Sequence, residues 1–167
     1  MNKKQKGFSL IELLIVVAII LIIAAIAIPN LLRARISANE SSAVGSVRTI
    51  TTTDTQYYST YGIGYAVALA NLGSPAGACV ATAAQACLID PVLTLGSKSG
   101  YNFANAGNNV VGVVLNGFET SANPGNIGVS GQRSFCSDQS GVIRLSTTGA
   151  VMTVAAAACS AVPTVLQ

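Results

Sequence analysis

Histidine is missing from this chain altogether, and charge is scarce: Asp, Glu, Lys and Arg together make up 9% of its 167 residues. Each shortage removes a class of function. Without histidine, a serine or cysteine nucleophile lacks its usual base. The carboxylates Glu40, Asp54, Asp90, Glu119 and Asp138 are strung singly along the chain, a pattern of solvated surface groups rather than of a paired acid and base. With no histidine and no Cys-x-x-Cys pair, zinc is disfavoured. Asp138 stands in a turn-like stretch without the spaced oxygen ligands of a calcium loop. The glycines form no phosphate-binding fingerprint. No catalytic residue, metal or cofactor is expected, and the chain reads as non-enzymatic.

The formal net charge of +3 points to no polyanionic partner. Lys3, Lys4 and Lys6 account for all of it, and from Phe8 onward the side-chain charges balance. The remaining Lys and Arg are scattered, with no basic cluster flanked by aromatics, so no nucleic-acid partner is predicted. Aromatics are 5% of the chain, and none lies between Leu10 and Gln56. Tyr57, Tyr58 and Tyr61 therefore read as packing groups near the end of a helix, not as links in a continuous aromatic stack.

What the chain does hold is apolar residue, 51% of the total, and much of it in one place. Lys3, Lys4 and Lys6 precede Gly7, then Phe8-Ser9-Leu10-Ile11-Glu12, then an unbroken apolar run from Leu13 to Ile28 that Pro29 closes. A helix over Phe8–Ile28 would span roughly 31 Å, against about 30 Å for a hydrocarbon core. A secretory signal has a shorter core with its cleavage site after it. Here the obvious processing point precedes the run, so cutting there leaves the apolar helix on the mature protein. The three lysines should stay on the cytoplasmic side, although Arg33 and Arg35 beyond the far end weaken that asymmetry. Glu12 is costly in lipid. It either sits at the interface, favoured by the positive end of the helix dipole, or pairs with an amine that cleavage before Phe8 would create. Pro29 lacks an amide hydrogen and should kink, loosen or stop the helix.

Gly7-Phe8-Ser9-Leu10-Ile11-Glu12-Leu13, the apolar run and Pro29 together resemble the amino-terminal signature of type IV pilins and of the related type II secretion pseudopilins. The resemblance covers Lys3 to about Arg35. It implies that a prepilin peptidase cuts between Gly7 and Phe8 and methylates Phe8. It also implies that Glu12 meets that new amine, in its own subunit or a neighbour, and that Glu12 and Pro29 serve assembly. The implied partners are a homo-oligomeric filament, the prepilin peptidase, an inner-membrane assembly machinery and, before assembly, membrane lipid. The implied location is single-pass in the inner membrane with the carboxyl-terminal domain outside the cytoplasm, and then an extracellular pilus. Later segments resemble small bacterial pilin-like proteins more loosely: Tyr57–Gly62, Lys98–Phe103, and Phe135 with Gly141–Arg144.

Downstream of Pro29, Ile36, Ala43, Ile50 and Tyr57 recur every seven residues, with Val47 and Tyr61 four beyond members of that series. This is one apolar stripe of a helix, despite Gly45 and the Thr49–Thr53 run. Gly62–Gly100 reads as a connecting region with a short helix near Ala83–Leu88. Strands are expected at Tyr101–Ala104, Val110–Phe118, Ser134–Cys136 and Val142–Thr147. Asn105–Asn109 and Ser137–Gly141 read as hairpin connections, and Asn123–Asn126 as a loop. The expected fold is α+β and pilin-like: a long amino-terminal helix, its first half transmembrane, packed on a small antiparallel sheet. The expected divisions are a leader at 1–7, a membrane and filament-core helix at 8–28, its amphipathic continuation at 29–61, the connection at 62–100, and the sheet with its tail at 101–167.

An even count of four cysteines in an exported domain suggests two disulfides, with three possible connectivities. Cys79–Cys87 with Cys136–Cys159 is preferred, since each would close a poorly specified segment. The second pair also resembles the carboxyl-terminal disulfide loop of many pilins. The leading function is thus a structural pilus subunit. A type II secretion pseudopilin and a membrane-anchored binding domain are the alternatives.

Overall fold

The structure is a computed structural model, and it describes residues 8–76, 79–112, 114–154 and 158–166. The leader, Gly7 included, lies outside the described residues. The chain divides into two units, Met1–Arg35 and Ile36–Gln167.

One helix, α1, runs through Leu10–Tyr61 without interruption at Pro29. One long helix is the expected arrangement, and the alternative of a stop at Pro29 does not hold. Pro29 removes one donor, the one that would serve the carbonyl of Ala25, and the rest of the helical ladder carries the chain past it. The threonine run is accommodated by its hydroxyls. Thr49, Thr52, Thr53 and Thr55 each donate to the carbonyl four residues back, at 2.8–3.0 Å. The helix ends where Gly62 turns left-handed at φ +64, its N–H returning to the Tyr58 carbonyl at 3.0 Å.

The second unit is α+β. Two single-turn helices, α2 (Leu69–Leu72) and α3 (Pro91–Thr94), precede five strands: β1 (Ser97–Lys98), β2 (Tyr101–Val111), β3 (Val114–Pro124), β4 (Ser134–Asp138) and β5 (Arg144–Ser146). They form an antiparallel sheet in sequence order. The stripe on α1 meets this sheet: Ala43, Val47, Ile50 and Tyr57 are buried in one cluster with Tyr101, Phe103, Ala122, Phe135 and Leu145. The small antiparallel sheet with a long helix on it is the expected architecture.

Three local expectations are corrected. Asn105–Asn109 is not a turn but the middle of β2, and the hairpin bends after Val111, at Gly112 with φ +67. The expected Val110–Phe118 strand is thereby divided between β2 and β3. The reason is tertiary: Asn105 is buried and hydrogen-bonded to the helix, which outweighs the poor strand propensity of its neighbours. Ala83–Leu88 is not helical. Thr82 and Gln85 bond each other's backbones in a tight turn, and Ala86 and Leu88 donate to Asn71 and Leu72 instead of to their own segment. Ser137 and Asp138 belong to β4 rather than to the connection after it.

Candidate functional site

The first candidate is the start of α1. Phe8 is 80% exposed, and every Leu, Ile and Val from Leu10 to Leu32 is exposed on the single chain. So large a contiguous apolar surface is unstable in water and needs lipid or other protein around it. By length and composition α1 is the one helix among the described residues suited to crossing a membrane. Apart from the Ala25 carbonyl opposite Pro29, a helix satisfies the backbone groups of its own interior, as lipid requires.

Glu12 sits in the first turn of α1 and reaches back to accept the Ser9 N–H at 2.9 Å. That satisfies one of the donors a helix start leaves open and places negative charge at the positive end of the helix dipole. The signal was in the sequence as Ser9-x-x-Glu12, the spacing of a capping box. The carboxylate lies beside the backbone nitrogen of the residue next to Phe8.

The second candidate is a set of buried polar groups that fix the sheet to the second half of α1, and the sequence reading placed them wrongly. Glu40, Asp54, Glu119 and Asp138 were expected at the surface and are all buried. Glu40 accepts from the N–H groups of Gln132 and Arg133 at 2.9 and 3.1 Å. Its other oxygen takes Arg133 Nε at 2.8 Å and closes an ion pair with the guanidinium at 2.6 Å. Its neighbour in sequence on the same helix, Asn39, donates through Nδ2 to the Ser130 carbonyl at 2.8 Å. Arg133 also lies 5.7 Å over the Phe135 ring. Burial, with Glu40 beside it, pushes the Tyr101 hydroxyl up to about 12; that hydroxyl donates to the Arg133 carbonyl at 2.8 Å.

Asp54 is completely buried. It accepts from the Ala66 N–H at 2.8 Å and from Asn105 Nδ2 at 2.7 Å, tying the helix to the loop after it and to β2. Burial raises its pKa from 3.8 to about 6, and the two hydrogen bonds offset part of that rise.

On the other sheet face Glu119 stands directly opposite Asp138 in the β3–β4 register. Asp138 turns back on its own chain and accepts from the N–H of Ser140 at 2.8 Å and from the Ser140 hydroxyl. Among the described residues no three His, Cys, Asp or Glu side chains gather to hold a metal. Asp90 is partly exposed and caps α3. Slight burial raises its pKa, but the Leu93 N–H and Lys98 outweigh this and hold it below its ordinary value. A cleft of about 450 Å³ opens between β5 and the tail, lined by neutral groups such as Ser146, Thr147, Val151 and Thr164. It holds no nucleophile paired with a base.

The cysteines pair as Cys79–Cys87 and Cys136–Cys159, with Cα–Cα distances of 5.9 and 5.7 Å. The tyrosines near the end of α1 pack locally: Tyr57 on Tyr61 at 4.9 Å, and Tyr58 on Tyr65 at 4.8 Å, with Phe118 5.0 Å beyond. Tyr57 also donates to the Ala83 carbonyl at 2.6 Å.

Comparison with known proteins bears on the first candidate. Residues 2–28 match the family model described as the prokaryotic N-terminal methylation motif. The type IV major pilin protein PilA of Myxococcus xanthus is 43% identical over 58 residues, which are 35% of this chain and 26% of that protein. The type IV wide pilus major component PilA4 of Thermus thermophilus is 64% identical over 39 residues, 23% of this chain and 30% of that protein. The matched segments thus span less than a third of either relative's length. No solved structure matches the chain. In its amino-terminal segment, where the methylation motif and the apolar helix lie, this chain is similar to type IV pilins.

Proposed function

We propose that the chain is a structural subunit of a type IV pilus. A prepilin peptidase cleaves it between Gly7 and Phe8 and methylates Phe8. The mature subunit waits in the inner membrane with its second unit outside the cytoplasm. An inner-membrane assembly machinery then transfers it into a filament of identical copies. The observation that carries this reading is the exposure of every large apolar side chain from Leu10 to Leu32 on one continuous helix, with Phe8 exposed just before it. Lipid covers that surface before assembly, and neighbouring helices cover it afterwards.

Glu12 has a part in both states. In the membrane it caps its own helix through the Ser9 N–H. In the filament it neutralises the new ammonium of Phe8 in a neighbouring subunit and so sets the register between copies. At an effective dielectric of about 20, such a pair 4 Å apart gains roughly 4 kcal/mol before desolvation is counted. Pro29 supports assembly by leaving the Ala25 carbonyl without a helical donor, so the helix can adjust there to a new packing. The buried carboxylates of the second unit are structural, and the protein is not an enzyme on this reading. The test is imaging of sheared surface material with mass spectrometry of the fibres. Fibres containing this chain support the reading. A chain found only in the membrane, with secretion rather than fibres lost on its deletion, indicates a type II secretion pseudopilin.

A further inference from the structure

Arg33 and Arg35 are exposed, and neither makes a hydrogen bond or an ion pair among the described residues. The acids offer them little: Glu12 is turned to Ser9, Glu40 to Arg133, Asp90 to Lys98, and Asp54 is buried. Two further observations say what kind of partner these arginines fit.

The first is height. Because α1 is continuous past Pro29, its rise converts sequence to distance. Arg33 lies about 7.5 Å beyond Ile28 and Arg35 about 10.5 Å beyond it. The headgroup layer extends roughly 5–7.5 Å past the hydrocarbon on each side. Side chains on a helix tilt toward its amino terminus, here back toward the membrane, and an arginine stem is long enough to return the guanidinium to the phosphate level. The second is direction. Residues two apart on a helix project about 200° from each other and do not share a face. A single protein partner would meet one of these arginines and miss the other. Lipid surrounds a membrane helix on every side and meets both.

We propose that Arg33 and Arg35 form a two-sided clamp on phospholipid phosphates of the outer leaflet, holding the unassembled subunit at a fixed depth. Guanidinium groups suit this work because they bind phosphate oxygens in pairs. The inference rests on the membrane reading of α1 given above. Filament entry then requires these contacts to be released. The same two charges, a puzzle for the positive-inside rule, become the anchor at the outer end of the span.

The test uses the full chain with its arginines labelled at Cζ, reconstituted in vesicles of phosphatidylethanolamine and phosphatidylglycerol. Carbon–phosphorus dipolar dephasing reads which guanidinium groups touch lipid phosphate. The expected result is dephasing of two arginine signals and its loss in Arg33→Gln/Arg35→Gln, with Arg48, which belongs to the second unit, unaffected. Each arginine removed should also weaken the preference for anionic over neutral lipid about fivefold at low ionic strength. Alkaline carbonate extraction separates the two levels of the claim. A chain that washes out of the vesicles contradicts the membrane span itself, and with it this clamp. A retained chain whose arginines show no dephasing, or whose dephasing survives the double variant, overturns the clamp alone. Equal dephasing by inorganic phosphate in vesicles of phosphorus-free glycolipid also overturns it, since the site would then be one for free anions. So do arginine contacts to carboxylates of a second copy in place of phosphorus.

Discussion

Glu40 and Arg133 stand 93 residues apart in sequence and are joined at 2.6 Å in the fold, on the helix and at the entry to β4 respectively. The Glu40 side chain is 7% exposed, whereas Arg133 remains 41% exposed. Removing the acid therefore costs more than a surface pair would. It leaves the Gln132 and Arg133 N–H groups without their acceptor inside the structure. Glu40→Ala should destabilise the second unit by about 2–4 kcal/mol, and Glu40→Gln by less, because the amide oxygen still accepts from the backbone. Denaturant unfolding of the detergent-solubilised chain checks this. Equal losses in the two variants would mean that the charge, not the backbone contacts, carries the effect.

Asp54 supplies a pH dependence of definite sign. Its pKa is raised on folding from 3.8 to about 6. Between those values the folded state binds more protons than the unfolded one, so this group's contribution to stability falls as pH rises. Relative to Asp54→Asn, which does not titrate, the native protein should lose stability from about pH 4 to about pH 6, by an amount on the order of 3 kcal/mol. Above pH 6 the difference should level off. A difference that is flat across that window, or that grows with pH, would contradict the assignment.

Glu40 and Asp54 also mark how far the fold was legible in the sequence. The stripe Ala43, Val47, Ile50 and Tyr57 was readable from its spacing, and with it the face that meets the sheet. Glu40 lies three residues before Ala43, and Asp54 four after Ile50, so both fall on that same face. A carboxylate in register with an apolar stripe is a candidate for burial, a signal that their isolation along the chain concealed. The partners were not legible. Asn105 and Arg133 reach the helix only through the sheet, from 51 and 93 residues away, and the Asn- and Gly-rich stretch around Asn105 imitates a turn. The start of α1 was the reverse case. Its apolar run, leader and Glu12 are all local in sequence, so its character was visible at once, although the cap on Ser9 was overlooked.

The disulfides should differ in worth. Cys136–Cys159 closes a separation of 23 residues and Cys79–Cys87 one of 8. Chain entropy assigns them about 3.5 and about 2.5 kcal/mol. The longer bridge also holds the tail, whose Thr164 and Ile143–Leu166 backbone bonds cover β5. Replacing Cys136 and Cys159 by serine should therefore make the tail protease-sensitive, while the Cys79/Cys87 double variant stays more resistant. Limited proteolysis of the two variants ranks them, and the reverse order would show that the tail is held by its other contacts.

Glu12→Ala should insert into the membrane at least as well as the native chain, since an acid is costly in lipid, yet yield few filaments. Quantifying sheared fibres against membrane-bound subunit separates the two effects. Normal fibre yield without a native copy in the cell would remove Glu12 from assembly and leave it only its cap on Ser9.

The most direct measurement is the intact mass and amino-terminal sequence of this chain taken from surface fibres. The account predicts a chain that begins at Phe8, carries one added methyl group on that amine, and retains the whole apolar helix. Fibres built from a chain that still begins at Met1, or from one that has lost Leu13–Ile28, would contradict it.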